Sequence, residues 1–283
     1  MSHRPKAGPG ASLFDHASLL ERSSSDILPD RAGMLSDRQL VEAISTGDER
    51  FDAIDLCSEV RRRRVIGALP ALVHLWNRLV PFGEKRLHPV QSEILTILEE
   101  ADDPDAGRIL ANILKRPELV GALLARTLQA AVLRRQHVDA ETLCGWCEES
   151  DPRIREAAYS LAALAVRAGS RLVRQIEAGL DDRDPQVRRA ARIAMAHRNN
   201  AAVRAPLLQD LEANPDRAVI LALGVIADDE VAIRLGQLAD RDPSFRDVVI
   251  EVLETVDSDR APRILARLKG DSERSAGQTA AGK

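Results

Sequence analysis

The stretch Asp151–Leu180, DPRIREAAYSLAALAVRAGSRLVRQIEAGL, holds one complete structural unit of this chain. Asp151 suits an N-cap, because its carboxylate can accept from the backbone N–H groups that open a helix. Pro152 falls at the first helical position, where its missing N–H costs nothing. Ile154, Ala157, Ala158, Leu161, Ala162 and Ala165 follow at i, i+3, i+4, i+7, i+8 and i+11, an apolar stripe of helical period. The alanines let a neighbouring helix come close. Gly169 and Ser170 break and re-cap the chain, and Leu172, Ile176 and Leu180 give the inward face of a second helix.

The same unit recurs on either side. Asp184-Pro185 is followed by Val187, Ala190, Ala191 and Ala194, then by Leu207, Leu208 and Leu211; Asp242-Pro243 is followed by Phe245. Prolines 89, 117, 152, 185, 215 and 243 are spaced by 28, 35, 33, 30 and 28 residues. An eight-residue echo, Ala106–Ile113 against Ala261–Leu268, matches at six positions with Ile and Leu taken as one class. A period near 30 with a helix start in each unit marks a stacked repeat array. Ser36-Asp37-Arg38-Gln39 is a capping-box pattern that opens the ordered region, and Gly47 stops its helix. Helix pairs are then predicted with first members near 49–61, 89–100, 117–134, 152–167, 185–197, 215–227 and 243–255. Their second members lie near 67–79, 104–115, 139–149, 170–180, 202–213, 229–240 and 258–269. The expected fold is all-α, a right-handed α-solenoid of about seven helix pairs over 35–269. Residues 1–34, with one apolar cluster at Leu13, Phe14, Leu19 and Leu20, are expected to be a flexible tail, and 270–283 a disordered one.

Composition agrees. Apolar residues make up 45% of the chain and aromatics only 2%, with Ala, Leu and Arg dominant, which favours helices over strands. A net charge of −4 gives no global attraction to nucleic acid or acidic lipid. No apolar run has the length of a membrane span, the first ten residues are polar, and three cysteines make no disulfide framework, so the cytoplasm is the expected location.

Asp-Pro-x-apolar-Arg at Asp151–Arg155, Asp184–Arg188 and Asp242–Arg246 resembles the HEAT-like repeat of the phycobilisome-lyase type, as does Ala222–Glu230. The resemblance covers about 48–269 and is clearest from 151 onward. His88-Pro89 and Arg116-Pro117 lack the Asp, and Arg217 stands where neighbouring units carry an apolar residue. The resemblance implies a helical solenoid, and it implies little about activity.

Several residues invite a functional reading. Cys144-Gly145-Trp146-Cys147 has the C-x-x-C spacing of zinc and dithiol sites, but only His137 and Cys57 could complete a zinc set, and Glu148-Glu149 would raise a thiol pKa; core packing is the favoured reading. No cofactor or metal site is expected. Arg61, Arg62, Arg63 and Arg64 form either a patch for phosphate or an acidic partner surface, or a solvated turn that neutralises nearby acids. Arg108, Arg171, Arg174, Arg204, Arg234 and Arg263 lie in second helices, expected to line a concave face, and either make a basic track or tie neighbouring repeats by ion pairs. Trp76 and Trp146 would line a partner pocket or fill gaps between small-residue helices.

No nucleophile elbow, phosphate loop or His pair at i, i+4 is present, so no enzyme is expected. The favoured function is a bacterial protein-interaction scaffold or regulatory adaptor. It would hold a protein partner along the concave face through Arg61–Arg64, Arg108, Arg171, Arg174, Trp76 and Trp146. Two alternatives stay open: a HEAT-like nucleic-acid-binding or DNA-repair protein, which the charge disfavours, and an accessory lyase or maturation factor using Cys144 or Cys147.

Overall fold

The computed structural model describes residues 32–165 and 169–270, and these are all helix, turn and loop, with no strand among them. The expected tails therefore lie outside the described residues apart from 32–34 and 270. The chain divides into two compact units at Leu79/Val80.

The first unit opens earlier than its capping box. Ala32–Met34 form one 3-10 turn with Ala32 buried, ahead of α1 (Asp37–Thr46). The capping box is in place: the Ser36 N–H donates to Gln39 Oε1 at 2.9 Å and the Gln39 N–H to Ser36 Oγ at 3.4 Å. α1 packs on α2 (Ala53–Arg63) and α3 (Leu69–Arg78), burying Leu40, Ile44, Leu56, Val60, Leu72 and Trp76. The expected start of α2 at 49 moves to 53, because Asp52 supplies the cap by accepting from the Ile54 N–H at 2.9 Å.

The second unit holds α4 (Pro89–Glu100), α5 (Pro104–Leu114), α6 (Gly121–Leu133), α7 (Ala140–Cys147), α8 (Pro152–Ala162) and α9 (Ser170–Gly179). It continues with α10 (Pro185–Ala196), α11 (Arg204–Ala213), α12 (Arg217–Val225), α13 (Asp229–Arg241), α14 (Arg246–Leu253) and a last helix over 261–270, α15. Each even-numbered helix from α4 to α12 packs on the next even one; α5, α9, α11 and α13 each lie against the even helices before and after them, and α7 lies against α8. On the odd side α7 packs on α9, and α13 on α15, where a Cβ on Gly236 would lie 2.7 Å from Ile264. The stripe read from the sequence is the cause. Ala157, Ala158 and Ala162 of α8 and Ala190, Ala191 and Ala194 of α10 are buried, and side chains this short hold two backbones close together.

The Asp-Pro starts work as their chemistry requires. Asp151 accepts from the Arg153 N–H at 2.9 Å and Asp184 from the Gln186 N–H at 2.8 Å. An Ncap of this type is worth about 1 kcal/mol. Three starts differ from expectation. Pro117 does not open α6, which begins at Gly121 (φ +52°) because a loop carbonyl, Glu84 O, takes the Ala122 N–H at 2.7 Å. A Cβ on Gly121 would sit 2.1 Å from that oxygen, so only glycine fits the approach. Pro215 precedes the true cap, Asp216, which accepts from the Val219 N–H at 2.8 Å and delays α12 to Arg217. After Asp242, residues Pro243–Phe245 make a 3-10 turn and α14 starts at Arg246. α8 ends at Ala162, short of the expected 167; residues 166–168 lie outside the described residues.

Candidate functional site

The recurring arginine of the Asp-Pro-x-apolar-Arg motif acts in two of its three copies as a fastener within the fold. Arg155 donates to Glu149 O and Ser150 O, both at 2.9 Å, covering the end of α7, and forms a two-pronged pair with Asp182 at 2.8 Å on each prong. Arg188, its counterpart one unit later, donates to the backbone oxygen of the same Asp182 at 2.7 Å and to Arg183 O at 3.0 Å. Two successive units thus converge on one aspartate. The Arg155 guanidinium holds the Asp182 carboxyl below the usual carboxylate range. In the third copy, Arg246 Nε is buried without a partner among the described residues.

Arg61–Arg64 differ in their surroundings. Arg62 donates to Glu59 at 2.8 Å, Arg63 pairs with the same carboxylate, and Arg63 also donates to Leu35 O at 2.6 Å and Gly33 O at 2.7 Å. Arg63 therefore pins residues 32–35 to the end of α2. Arg62, with Arg63 behind it, holds Glu59 down to a pKa of about 2. Arg64 ends the helix in the left-handed region at φ 53°, and Arg61 and Arg64 lie exposed.

The tryptophans fall in different units. Trp76 is only 3% exposed, a core residue of α3, and Trp146 on α7 is half-buried. Cys144 and Cys147 are both buried on α7, and Cys57 lies in the first unit. Burial pushes the Cys144 thiol up and takes Cys147 to about 12. At pH 7 such a thiol is ionised in on the order of one molecule in 10⁵, far from the activated range of reactive cysteines. Tyr159 packs beside Cys147 and donates to Gln175 O at 3.0 Å; burial, with Cys147 adding, raises its own pKa. A Cβ on Gly179 of α9 would lie 2.6 Å from that tyrosine ring, so the glycine is what lets α8 and α9 close around it.

The arginines of the second helices tie units together. Arg171 pairs with Glu141 of α7, Arg204 with Asp228 at 2.6 Å and Arg234 with Glu212 at 3.0 Å. Arg108 pairs within its own helix with Asp105, while Arg174 and Arg263 are exposed. Among the described residues, three of these six arginines are thus offset by acids of a neighbouring unit.

A groove that the sequence did not point to lies on the even row. It has a volume of about 410 Å³ and is lined by α4, α6 and α8, with Val132, Leu133 and Ala157 as its apolar part. Leu133 is 70% exposed, unusual for a leucine at the end of an otherwise buried helix. Four charged side chains line it: Glu99, Arg126, Arg153 and Glu156. Arg126 pairs with Glu99 and donates to Thr96 Oγ1 at 3.0 Å, and Arg153 pairs with Asp151 at 2.7 Å. Glu156 makes no hydrogen bond or ion pair through its carboxyl among the described residues. Burial, with Asp184 adding and Arg189 opposing, lifts its pKa above the usual glutamate value. The only sequence signal for this site was Leu133 itself, an apolar residue set off the buried face of α6.

No model of a known protein family matches the chain, and no curated protein is significantly similar to it. Among the described residues no helix is long and apolar enough to cross a membrane, and no three His, Cys, Asp or Glu side chains group so as to hold a metal ion.

Proposed function

We propose that the second unit is a HEAT-like α-solenoid and that the protein is a non-catalytic scaffold or adaptor, holding a protein partner along the row of even-numbered helices. The observation that carries this reading is the unbroken succession of contacts from α4 to α14 through alternate helices, with the Arg155 and Arg188 fasteners repeated at the unit junctions. In a curved stack the helices on the inner side are the closely packed ones. That geometry favours the even row as the inner, partner-facing side, in place of the second helices expected from the sequence. The paired arginines on the odd helices weigh against a nucleic-acid track, which needs unneutralised cations. The buried, protonated thiols of Cys144 and Cys147 weigh against a lyase-type nucleophile.

The test is site-specific photo-crosslinking of the full chain in its host, with the photoreactive residue at Gln129 on α6 or at Gln209 on α11, both exposed. A protein partner should be captured from position 129 at least several-fold more efficiently than from 209. Absence of a protein adduct from both positions would sink the scaffold reading, whereas a partner captured from 209 alone would move the binding face to the odd row.

A further inference from the structure

We infer that the groove between α4, α6 and α8 is a recognition pocket for a peptide segment in which a lysine or arginine stands next to an aliphatic side chain, the cation meeting Glu156 and the aliphatic group covering Leu133. The inference rests on the scaffold reading and names the chemistry of the partner.

Charge bookkeeping within the groove points to a cation. Two of its four lining charges, Glu99 and Arg126, neutralise each other, and Arg153 is neutralised by Asp151. Glu156 is left over as an uncompensated negative charge. It stands half-buried on α8, four residues before Ser160, whose hydroxyl is turned to Glu156 O rather than to the carboxyl. The nearest cation in sequence that bears on it, Arg189, is committed to Asp216 at 2.8 Å and to Asn214 O. A carboxylate in such a place gains more from an incoming cation than a fully solvated one does, because part of its hydration is already gone. Its raised pKa has the same cause.

The apolar half of the site supplies the second requirement. Leu133 exposes 70% of its surface and, with Val132 and Ala157, forms an apolar wall in the same groove as the carboxylate. A bare cation such as spermidine or an isolated lysine would leave that wall wet. A peptide carrying both groups covers the wall and neutralises the charge in one contact. An acidic peptide is rejected, since it would bring a second negative charge to Glu156 without displacing either existing ion pair.

The experiment is selection of a phage-displayed random dodecapeptide library on the full-length protein, followed by affinity measurement of the enriched peptides. Enrichment of Lys or Arg within three positions of Leu, Ile, Val or Met is expected, with an affinity that weakens as salt rises. Glu156→Gln should weaken these peptides about tenfold and flatten the salt dependence. Glu156→Lys should invert the selection toward Asp and Glu, an outcome that mere loss of folding cannot produce. Leu133→Ser should weaken the same peptides while leaving the cationic preference, and circular dichroism checks that each variant is folded. Peptides that bind Glu156→Gln and the parent protein equally, or no enrichment at all, would overturn the inference. So would a concentration-dependent dimer that Glu156→Gln dissolves, since the groove would then hold a second copy of the chain. If such a failure occurs while Gln129 still captures a protein partner, the groove chemistry alone is wrong; if capture is lost too, the scaffold reading goes with it.

Discussion

The stretches 80–150 and 151–241 build the same helix-on-helix stack and both use aspartate caps on odd helices, Asp103 and Asp139 in the earlier and Asp228 in the later, but the starts of their even helices differ in chemistry. In the later stretch, Asp151, Asp184 and Asp216 each present a carboxylate to the first free N–H groups of α8, α10 and α12. In the earlier stretch α4 is capped by an imidazole, with His88 Nδ1 accepting from the Val90 N–H at 3.2 Å and the ring packed on Phe82 at 4.3 Å between centroids. α6 has no side-chain cap, and the backbone carbonyl of Glu84 stands in for one. The Asp-Pro motif is therefore one solution among several to the same shortage of hydrogen-bond acceptors. A stack tolerates the exchange because its stability comes from the buried stripe of each helix against the next.

The largest expected effect tests that last statement. Leu172 in the later stretch and Leu110 in the earlier one are both fully buried. Replacing either with Ala should cost about 2–5 kcal/mol, read by urea unfolding. If the stack is one cooperative body, both variants lower the same transition; if 80–150 unfolds alone when Leu110 is cut, hydrogen exchange will show α8–α13 still protected and the two stretches are separate bodies.

A smaller effect belongs to the shared node of the later stretch. Asp182→Ala removes the two-pronged contact with Arg155 and leaves a half-buried guanidinium without its carboxylate, a loss of about 1–3 kcal/mol. Both variants keep the backbone oxygen that Arg188 uses, but Asp182→Asn also keeps a side-chain oxygen that can accept from Arg155 and should cost less. Equal losses for the two substitutions would show that the contact depends on the carboxylate's charge, since the hydrogen bond an amide can still accept would then recover nothing.

The smallest effect separates the two kinds of cap by pH. Burial lowers the pKa of His88, so the neutral form that can accept from Val90 is favoured in the folded chain. Its contribution is fully present above the unfolded value near 6.5 and is lost as pH falls toward the lowered folded value, where the cationic ring meets the positive end of α4. Asp151 has its pKa lowered by Arg153, so its contribution persists above 3.8 and is lost only as pH falls through the lower folded value. Between pH 7.5 and 5, hydrogen-exchange protection, taken relative to the intrinsic rate at each pH, should therefore fall at the first turn of α4 and hold at that of α8. His88→Asn, a cap that does not titrate, should abolish the difference.

Helices were legible from the sequence because two signals coincide at most of them: an apolar stripe of helical period and an acidic or serine cap before it. Where the proline does not directly follow the group that caps the helix the boundary moved, as at Pro117 and Pro215, since proline marks a place where a helix can begin without supplying the acceptor that begins it. The roles of the arginines were less legible. Arg63, Arg155 and Arg188 bind carbonyls and carboxylates that are distant in sequence, and no local pattern encodes such partners. Glu156 was invisible for a related reason: it matters because its neighbours Arg126 and Arg153 are already taken, and that is a property of the assembled faces.

Arg134 and Arg198 carry a consequence for synthesis on the ribosome. Arg134, at the end of α6, donates to Leu98 O at 3.1 Å and Ala101 O at 2.5 Å, closing the end of α4 from 33 residues beyond Ala101. Arg198 likewise reaches Ala162 O at 2.9 Å, 36 residues back, at the end of α8. Each of these helices is thus finished by a residue translated one unit later. Until Arg134 or Arg198 has left the tunnel, the end carbonyls of α4 at Leu98 and Ala101, or of α8 at Ala162, lack the donor that closes them in the finished fold.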